Sequence, residues 1–263
     1  MTPEALTGKV FILITGASQG IGRQIAITLS EIVDKNSQIL LIARNENGLK
    51  ETRDKLSKNI NVNYASVDLG VATDEQLTEI ISNVTDVDKF DRAILIQNAG
   101  SVGDVTKNTA QMNDMDYWKN YFALNVFSTA ILNSVFMKLF NDNVKAKKYI
   151  INISSLMGIK PFKSMGYYGS GKAAREMYFK VFAEEFPQVN VLNYSPGPVE
   201  TEMLVTVATK AGDDEVRNTI NDTRIQKKSL TPEQTVNRLV NILRDQKYKS
   251  GDHVDYFDEF LKF

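Results

Sequence analysis

Short runs of apolar, mostly β-branched residues alternate with longer amphipathic stretches along this chain. Brief, continuous apolar runs are typical of parallel strands that are covered on both faces. Their alternation with helices predicts βαβ crossovers and an α/β fold with a doubly wound parallel sheet of about seven strands. The predicted strands are 10–14, 39–42, 62–67, 93–96, 149–153 and 189–193, with a last short strand near 253–254. The predicted helices are 21–33, 46–57, 74–84, 116–140 and 168–186. No linker or repeat interrupts the pattern, so residues 1–263 are expected to form a single domain.

The composition excludes several classes of site. The 263 residues include no cysteine and one histidine, His253, so neither a disulfide nor a typical zinc site can be built, and no metal site is expected. The formal charge of −1 lacks the basic excess of nucleic-acid-binding domains. The start of the chain does not resemble a signal peptide, and its longest apolar runs are far shorter than the roughly 20 residues of a membrane span. We expect a cytoplasmic protein that binds neither nucleic acid nor membrane.

The most polar stretch is 211–229, which follows the sixth predicted strand and has no strong periodicity. It is interpreted either as a mobile segment near the site or as a solvated surface helix. The pattern favours neither.

A glycine-rich turn joins the first predicted strand directly to the first predicted helix. Its spacing is Gly-x3-Gly-x-Gly, which differs from the Gly-x-Gly-x2-Gly of the general dinucleotide fingerprint. Glycines permit a tight turn in which backbone N–H groups and the positive end of the helix approach a pyrophosphate. Glycines also serve plain turns, but the strand before and the helix after favour a cofactor site. The predicted cofactor contacts here are Gly16, Ser18, Gly20, Ile21 and Gly22.

The end of the second predicted strand indicates which cofactor is bound. Arg44 lies about twenty residues beyond the last glycine, where an acidic residue would bind the ribose of NAD and an arginine suits the 2′-phosphate of NADP. No Asp or Glu occurs in 39–44, so NADP(H) is predicted, with Asn45 beside it. The alternative for Arg44 is a surface charge. Asp68 and Leu69 follow the third strand, where the carboxylate is placed to meet the adenine or serves as an ordinary turn residue.

A tyrosine and a lysine four residues apart are the candidate acid–base pair. Tyr168 and Lys172 share one face of a predicted helix. A phenol with a pKa near 10 is a poor catalyst at neutral pH, but an ammonium about 4 Å away is worth roughly 4 kcal/mol at an effective dielectric near 20. We therefore expect the pKa of Tyr168 to fall to about 7. Ser155 is placed to hold a carbonyl oxygen beside the tyrosine, or else to cap a turn.

Together these motifs resemble the short-chain dehydrogenase/reductase family. The glycine turn, an Asn-Ala-Gly motif after the fourth strand, the serine, tyrosine and lysine, and a Pro-Gly segment after the sixth strand all match, over most of the chain. The resemblance implies a Rossmann-type fold that transfers hydride from NADPH to a carbonyl, with Asn125 as a fourth catalytic residue that supports a proton relay to Lys172. The further cofactor contacts that it implies are Asn98, Ala99, Gly100, Tyr168, Lys172, Pro196, Gly197, Val199, Thr201 and Met203.

The resemblance also implies a homodimer packed through the helices 116–140 and 168–186. Their apolar residues could equally belong to the core of a monomer, and the pattern does not separate the two.

Within the family, the residues are most similar to members that reduce the side-chain carbonyl of a pterin. The similarity lies in 98–105, 153–156, 161–163, 171–175, 193–198 and 249–256. It implies that Asp255 holds the guanidine-like edge of the pterin, because a carboxylate accepts two parallel N–H donors. Ser155, Tyr168 and Gly197 would also contact the substrate, and Met165 stands where an aromatic pocket residue is expected. The alternatives are a reductase of other ketones, diketones or quinones, and a non-catalytic NADP-binding interaction protein.

Overall fold

The computed structural model describes residues 2–258, which form one seven-stranded parallel sheet in the order β3-β2-β1-β4-β5-β6-β7. The strand order reverses between β1 and β4, and ligands of open α/β sheets bind at such a switch point, beyond the carboxyl ends of the strands. The strands are β1 (Val10–Thr15), β2 (Gln38–Ala43), β3 (Asn61–Ser66), β4 (Arg92–Gln97), β5 (Lys147–Ile153), β6 (Asn190–Ser195) and β7 (His253–Asp255). The predicted doubly wound sheet of seven strands is confirmed.

Nine α-helices flank the sheet within the described residues. They are α1 (Gly20–Ile32), α2 (Glu46–Asp54), α3 (Asp74–Ser82), α4 (Met115–Phe122), α5 (Ser128–Leu139), α6 (Gly166–Glu185), α7 (Glu202–Lys210), α8 (Asp214–Ile225) and α9 (Pro232–Asp245). The single helix predicted over 116–140 is α4 and α5 joined by a π-helical turn at Ala123–Phe127. The polar stretch 211–229 is mostly the helix α8, which agrees with the helical interpretation. Helices α7 and α9 were not predicted.

The sheet is buried on both faces, which explains why its strands are continuous apolar runs. Along β1, Ile12 and Ile14 face α1 and α9, while Phe11 and Leu13 face α3, α5 and α6. Each face therefore has its own apolar cluster, as a doubly wound sheet requires.

Helices α4 and α5 form a long apolar stretch, Met115–Leu139. Counted as one helix through the π-helical turn, this stretch is the one among residues 2–258 that is long and apolar enough to cross a membrane by length and composition alone. Core helices of globular proteins pass the same test. In this fold α5 packs against α3 and β4, and the π-helical turn before it packs against α6.

Candidate active site

Two adjoining cavities lie at the carboxyl ends of the strands. The first, here called the switch-point cleft, has a volume of about 640 Å³; the second, here called the inner pocket, has a volume of about 310 Å³. The predicted residues that line the cleft are Gly16, Ser18, Gly20, Ile21, Arg44, Asn45, Leu69, Asn98, Ala99, Gly100, Thr201 and Met203. Those that line the inner pocket are Ser155, Tyr168, Lys172, Pro196, Gly197, Val199 and Asp255, with Ile21, Asn98, Gly100, Thr201 and Met203 shared by both. Gly22, Asp68 and Asn125 line neither cavity.

The glycine turn has no room for a side chain at two of its three glycines, Gly16 and Gly22. Gly16 has φ of +66°, and a Cβ there would lie 2.8 Å from the Asn98 side-chain nitrogen. A Cβ on Gly22 would collide with the carbonyl oxygen of Gly16, so Gly22 shapes the turn from behind rather than lining the cleft. Arg23, which the sequence analysis missed, supports the turn: its guanidinium donates to the Ser18 and Gly48 carbonyl oxygens.

The loop after β4 is fastened to this turn. Thr15 Oγ1 accepts hydrogen bonds from the backbone N–H groups of Asn98 and Ala99, each at 3.0 Å. The Asn98 side chain in turn donates to the Thr15 carbonyl oxygen at 2.9 Å. The Asn-Ala-Gly motif therefore forms part of the boundary between the cleft and the inner pocket.

Arg44 extends from the end of β2 at the rim of the switch-point cleft. Its side chain is 67% exposed, and its Nη1 lies 4.0 Å from Asp68 Oδ2. Asp68 Oδ1 accepts from the backbone N–H of Gly70 at 2.9 Å, as a turn residue does. The guanidinium is thus accessible to an anion in the cleft.

The predicted acid–base residues meet at the inner pocket. Lys172 is buried; its Nζ donates to the Ile153 carbonyl oxygen at 2.6 Å and lies 5.6 Å from the centroid of the Tyr168 ring. Ser155 Oγ accepts from the backbone N–H of Met157 at 3.2 Å, so this serine caps a turn as well as lining the pocket. The three side chains converge on one cavity, as their spacing predicts.

Burial shifts the pKa values of Tyr168 and Lys172 in opposite directions. Burial raises the pKa of Tyr168 above its usual value of 10, against the hydrogen bond with Ser155 and the positive charge of Arg175. Burial also lowers the pKa of Lys172 well below its usual 10.5, and Arg175 lowers it further. The expected fall of the Tyr168 pKa to about 7 through Lys172 is therefore wrong for this structure, because desolvation of the phenol outweighs the hydrogen bond with Ser155 and the charge of Arg175.

Asn125 lies in the π-helical turn between α4 and α5. Its Nδ2 donates to the Tyr121 carbonyl oxygen at 2.8 Å, and its Oδ1 accepts from the Ser101 N–H at 2.8 Å. A π-turn widens the helix and often marks a functional position. Here it turns the Asn125 side chain toward the loop that follows Gly100.

The far wall of the inner pocket includes β7 and the chain beyond it. Asp255 Oδ2 accepts from Ser195 Oγ at 2.5 Å, and Oδ1 accepts from the backbone N–H of Phe257 at 3.0 Å, so the carboxylate is held in a fixed orientation. Phe257, which the sequence analysis missed, lines the pocket. The expected pocket role of Met165 is wrong: it is 2% exposed and packs behind the pocket, while other residues, including Met157 and Met203, line it.

Residues 10–212 match the family described as short chain dehydrogenase. The chain belongs to the short-chain dehydrogenase/reductase family. It is 34% identical over 261 residues to sepiapterin reductase of Xenopus tropicalis, covering 98% of this chain and 100% of that protein. It is 29% identical over 252 residues to the (S)-benzoin-forming benzil reductase of Bacillus cereus, covering 92% of this chain and 97% of that one.

A crystal structure of a short-chain dehydrogenase/reductase from Saccharomyces cerevisiae has the same fold, with a TM-score of 0.81 at 25% identity over 97% of this chain and 98% of that one. Members of this family are oxidoreductases that bind nicotinamide cofactors. The predicted family and fold are confirmed.

Proposed function

We propose that this protein uses NADPH to reduce the side-chain carbonyl of a pterin. The observation that carries the proposal is that Asp255 lines the same 310 Å³ pocket as Ser155, Tyr168 and Lys172. A fixed carboxylate can accept two parallel N–H bonds from the aminopyrimidine edge of a pterin. The similarity to sepiapterin reductase over nearly the whole chain supports this substrate class.

The switch-point cleft fits the proposed cofactor. It opens at the N-terminus of α1, where Gly20 has φ of +56° and the turn has no room for a Cβ at Gly16 or Gly22. Helix N-termini of this kind bind phosphate. Arg44, with Asn45 and Ser18, would hold the 2′-phosphate, which favours NADPH over NADH. Leu69 would border the adenine, whereas Asp68 lies 4.0 Å from Arg44 and lines neither cavity.

The remaining cofactor contacts lie where the cleft meets the inner pocket. We assign to the nicotinamide end Asn98, Ala99, Gly100, Pro196, Gly197, Val199, Thr201 and Met203. Lys172 would also bind the ribose. When bound, NADPH supplies the hydride that reaches the substrate carbon.

The residues of the chain supply the proton. Ser155 and Tyr168 hold the substrate carbonyl oxygen, and Tyr168 donates its proton to that oxygen as negative charge develops there. The raised pKa keeps the Tyr168 phenol protonated at neutral pH, as a donor must be. Lys172, whose pKa is lowered, and Asn125 return a proton to Tyr168. The products would be dihydro- or tetrahydrobiopterin-type compounds, as in the final reduction of tetrahydrobiopterin biosynthesis.

The direct test is turnover of sepiapterin by the purified protein, followed by oxidation of NADPH or NADH. We expect sepiapterin to be reduced, with kcat/KM at least about tenfold higher for NADPH than for NADH, since one charged hydrogen bond to the 2′-phosphate is worth about 1.5 kcal/mol or more. Reduction of simple diketones without any reduction of sepiapterin would refute the pterin assignment.

Reduction of aromatic diketones is the second candidate. The inner pocket is lined largely by apolar side chains, among them Val102, Leu156, Met157, Phe162 and Phe257, and a benzil reductase is among the relatives. Benzil and sepiapterin should be assayed side by side, and a higher kcat/KM for benzil would favour this candidate. A non-catalytic role would require that neither be turned over.

We also propose a homodimer packed through α5 and α6. Apolar side chains lie exposed on and just before these helices: Phe127 is 53% exposed, Met177 61% and Val181 49%. Contiguous exposed apolar residues mark interaction surfaces. Sedimentation of the purified protein should give the mass of a dimer, and Val181→Glu should shift it toward the monomer. A wild-type protein that sediments as a monomer at micromolar concentration would contradict this.

A further inference from the structure

Arg175 is a guanidinium buried in the middle of the protein. It is 1% exposed and lies on α6, three residues after Lys172 and seven after Tyr168, so the three side chains share one helix face. Within residues 2–258 no carboxylate lies within 4.0 Å of it. Burying a cation without a counter-charge is costly, and burial lowers the pKa of Arg175 to about 10.

The guanidinium compensates for that cost with three oxygen acceptors. Nη2 donates to the Gln97 carbonyl oxygen at 2.5 Å, and Nη1 to the Ala99 carbonyl oxygen at 2.9 Å. Nε donates to Asn152 Oδ1 on β5 at 2.9 Å. The two carbonyl groups flank Asn98, so the planar fork of the arginine fixes the loop from both sides.

This loop is the floor shared by both cavities. Asn98 and Gly100 line the switch-point cleft and the inner pocket alike, and Asn98 is fastened to the glycine turn. Arg175 therefore connects the helix that carries the acid–base pair to the loop that borders both binding sites. A lysine could keep the charge but could not reach three separated acceptors with a planar fork.

The charge of Arg175 acts on the acid–base pair. The titratable groups that face it are Tyr168 and Lys172 on its own helix and Tyr121 on α4. The groups that face Arg175 from the other elements are uncharged. They are the backbone carbonyls of Gln97 and Ala99, the Asn152 amide and the Asn125 amide near Gly100. Glu176, also on α6, is bound by Ser154, His253 and Lys180, and its charge raises the pKa of Lys172, opposite to the effects of burial and Arg175.

We propose that Arg175 is a positioning residue for the reaction: it holds the Asn98–Gly100 loop against α6 and supplies the uncompensated positive charge next to Tyr168 and Lys172. The proposal rests on the proposed reductase function. The loop part concerns cofactor affinity, and the charge part concerns the proton donated by Tyr168. The two parts can be separated, because lysine keeps the charge and methionine removes it.

The charge part is tested by the pH dependence of kcat/KM. Its alkaline limb reports loss of the proton that Tyr168 and Lys172 share. Removing a nearby positive charge makes that proton harder to lose, so the limb of Arg175→Met should move to higher pH by about one unit. The limb of Arg175→Lys should stay within about 0.3 unit of wild type. A role in packing alone would lower the melting temperature without moving the limb.

The loop part is tested by NADPH binding, followed by cofactor fluorescence without turnover. Both Arg175→Lys and Arg175→Met should weaken binding about three- to tenfold, since each loses part of the fork and single hydrogen bonds are worth about 1 kcal/mol. The matched control is Arg92→Lys, since Arg92 also donates to a backbone carbonyl but lies at the opposite end of β4. Its NADPH affinity and pH limb should equal those of wild type.

Arg175→Met leaves three acceptors without donors and is the variant at risk of not folding. Arg175→Gln then replaces it, because its neutral amide can still donate to one of these acceptors while the charge is removed; its limb should also move upward. A limb that coincides with wild type in the charge-altering variant, or unchanged NADPH affinity in Arg175→Lys, overturns the proposal. Wild-type activity on sepiapterin or benzil is measured first. An inactive wild type would count against the proposed function and not against the role of Arg175. The NADPH-binding measurements on the Arg175 variants would then still test that role.

Discussion

The switch-point cleft and the inner pocket adjoin each other but are built in different ways. The cleft is formed mostly by residues at or just beyond the ends of strands: Gly16 and 18–21 after β1, 43–45 at the end of β2, Val67 and Leu69 after β3, and 98–100 after β4. The pocket takes its walls from segments far apart in the chain, from Ile21 to Phe257, including α7, α8 and the residues beyond β7. The cleft is therefore specified locally, whereas the pocket exists only once the whole sheet and its helices have assembled.

This difference predicts that substitutions in the two cavities will have separable effects on cofactor affinity and on substrate discrimination. Changes in the cleft should alter cofactor affinity and leave substrate discrimination intact, and changes on the far wall of the pocket should do the reverse. Changes at Ser155, Tyr168 and Lys172 of the inner pocket should affect the chemical step itself.

The largest effect is expected at the acid–base pair of the inner pocket, from Tyr168→Phe. Removing the proton donor should lower kcat about 10²- to 10⁴-fold, the usual contribution of general acid catalysis. The dissociation constant for NADPH should not change, because the ring remains. Single-turnover kinetics with sepiapterin and a fluorescence titration with NADPH measure the two quantities.

Tyr167→Phe is the matched control for that experiment. The Tyr167 hydroxyl is buried and has no hydrogen-bond partner among the residues described, so its removal should leave kcat near the wild-type value. Equal kcat for wild type and Tyr168→Phe would rule out Tyr168 as the proton donor.

The same contrast explains what the sequence could predict. Glycine spacing after β1, Arg44 after β2 and the Tyr168–Lys172 interval are local patterns, and the structure places each at the expected cavity. Arg175 and Phe257 carry no local pattern: their surroundings come from other strands and from the chain end. The misplacement of Met165 has the same cause, since the tertiary packing of α6 against the Val102–Val105 region turns it behind the pocket.

Two other features that the sequence analysis did not predict correctly have different physical causes. The pKa of Tyr168 was predicted from one neighbouring charge, but desolvation is not visible in a residue interval and here exceeds it. Helix α9 did carry a signal: Thr231 and Gln234 form a capping box with Pro232 at the first helical position. That helix could have been predicted from these residues alone.

The next largest effect is expected in the cleft, from Arg44→Ala. Loss of a charged hydrogen bond to the 2′-phosphate should raise KM for NADPH about 10- to 100-fold and leave KM for NADH unchanged. Steady-state kinetics with both cofactors measure this. Arg53→Ala on α2, whose guanidinium pairs with the adjacent Asp54, should change neither value. A parallel loss for NADH would show that Arg44 supports the cleft rather than recognising the phosphate.

On the far wall of the pocket, Asp255→Asn should raise KM for sepiapterin about tenfold, because the amide replaces one of the two acceptor oxygens with a donor. KM for benzil and for NADPH should stay at the wild-type values, since neither needs two N–H acceptors there. Asp222→Asn on the exposed face of α8 is the control. If the KM values for sepiapterin and benzil rise alike, Asp255 maintains the pocket wall and does not recognise the pterin.

The smallest effect is expected from Glu176, which links two distant parts of that wall. Its carboxylate accepts from Ser154, next to Ser155, and lies 3.0 Å from His253 Nδ1 on β7, two residues before Asp255. Burial alone would raise the pKa of Glu176, but the hydrogen bonds from His253 and Ser154 outweigh it and hold the pKa below its usual 4.5. Because the folded pKa lies below the unfolded one, the ionised carboxylate stabilises the fold above pH 4.5, and this contribution is lost as the pH falls through the lower folded value.

Glu176→Gln should therefore lower the free energy of unfolding by about 1–3 kcal/mol at pH 7, and the difference from wild type should narrow below pH 4.5. Urea unfolding at pH 7 and at pH 4 measures both values. Glu184→Gln is the control, because its exposed pair with Lys249 is worth less than about 1 kcal/mol at either pH. If Glu176→Gln lowers the free energy of unfolding equally at pH 7 and pH 4, then the size and packing of the side chain, not its charge, hold Ser154 and β7 together. The far wall of the pocket would then depend on packing, as the rest of the core does.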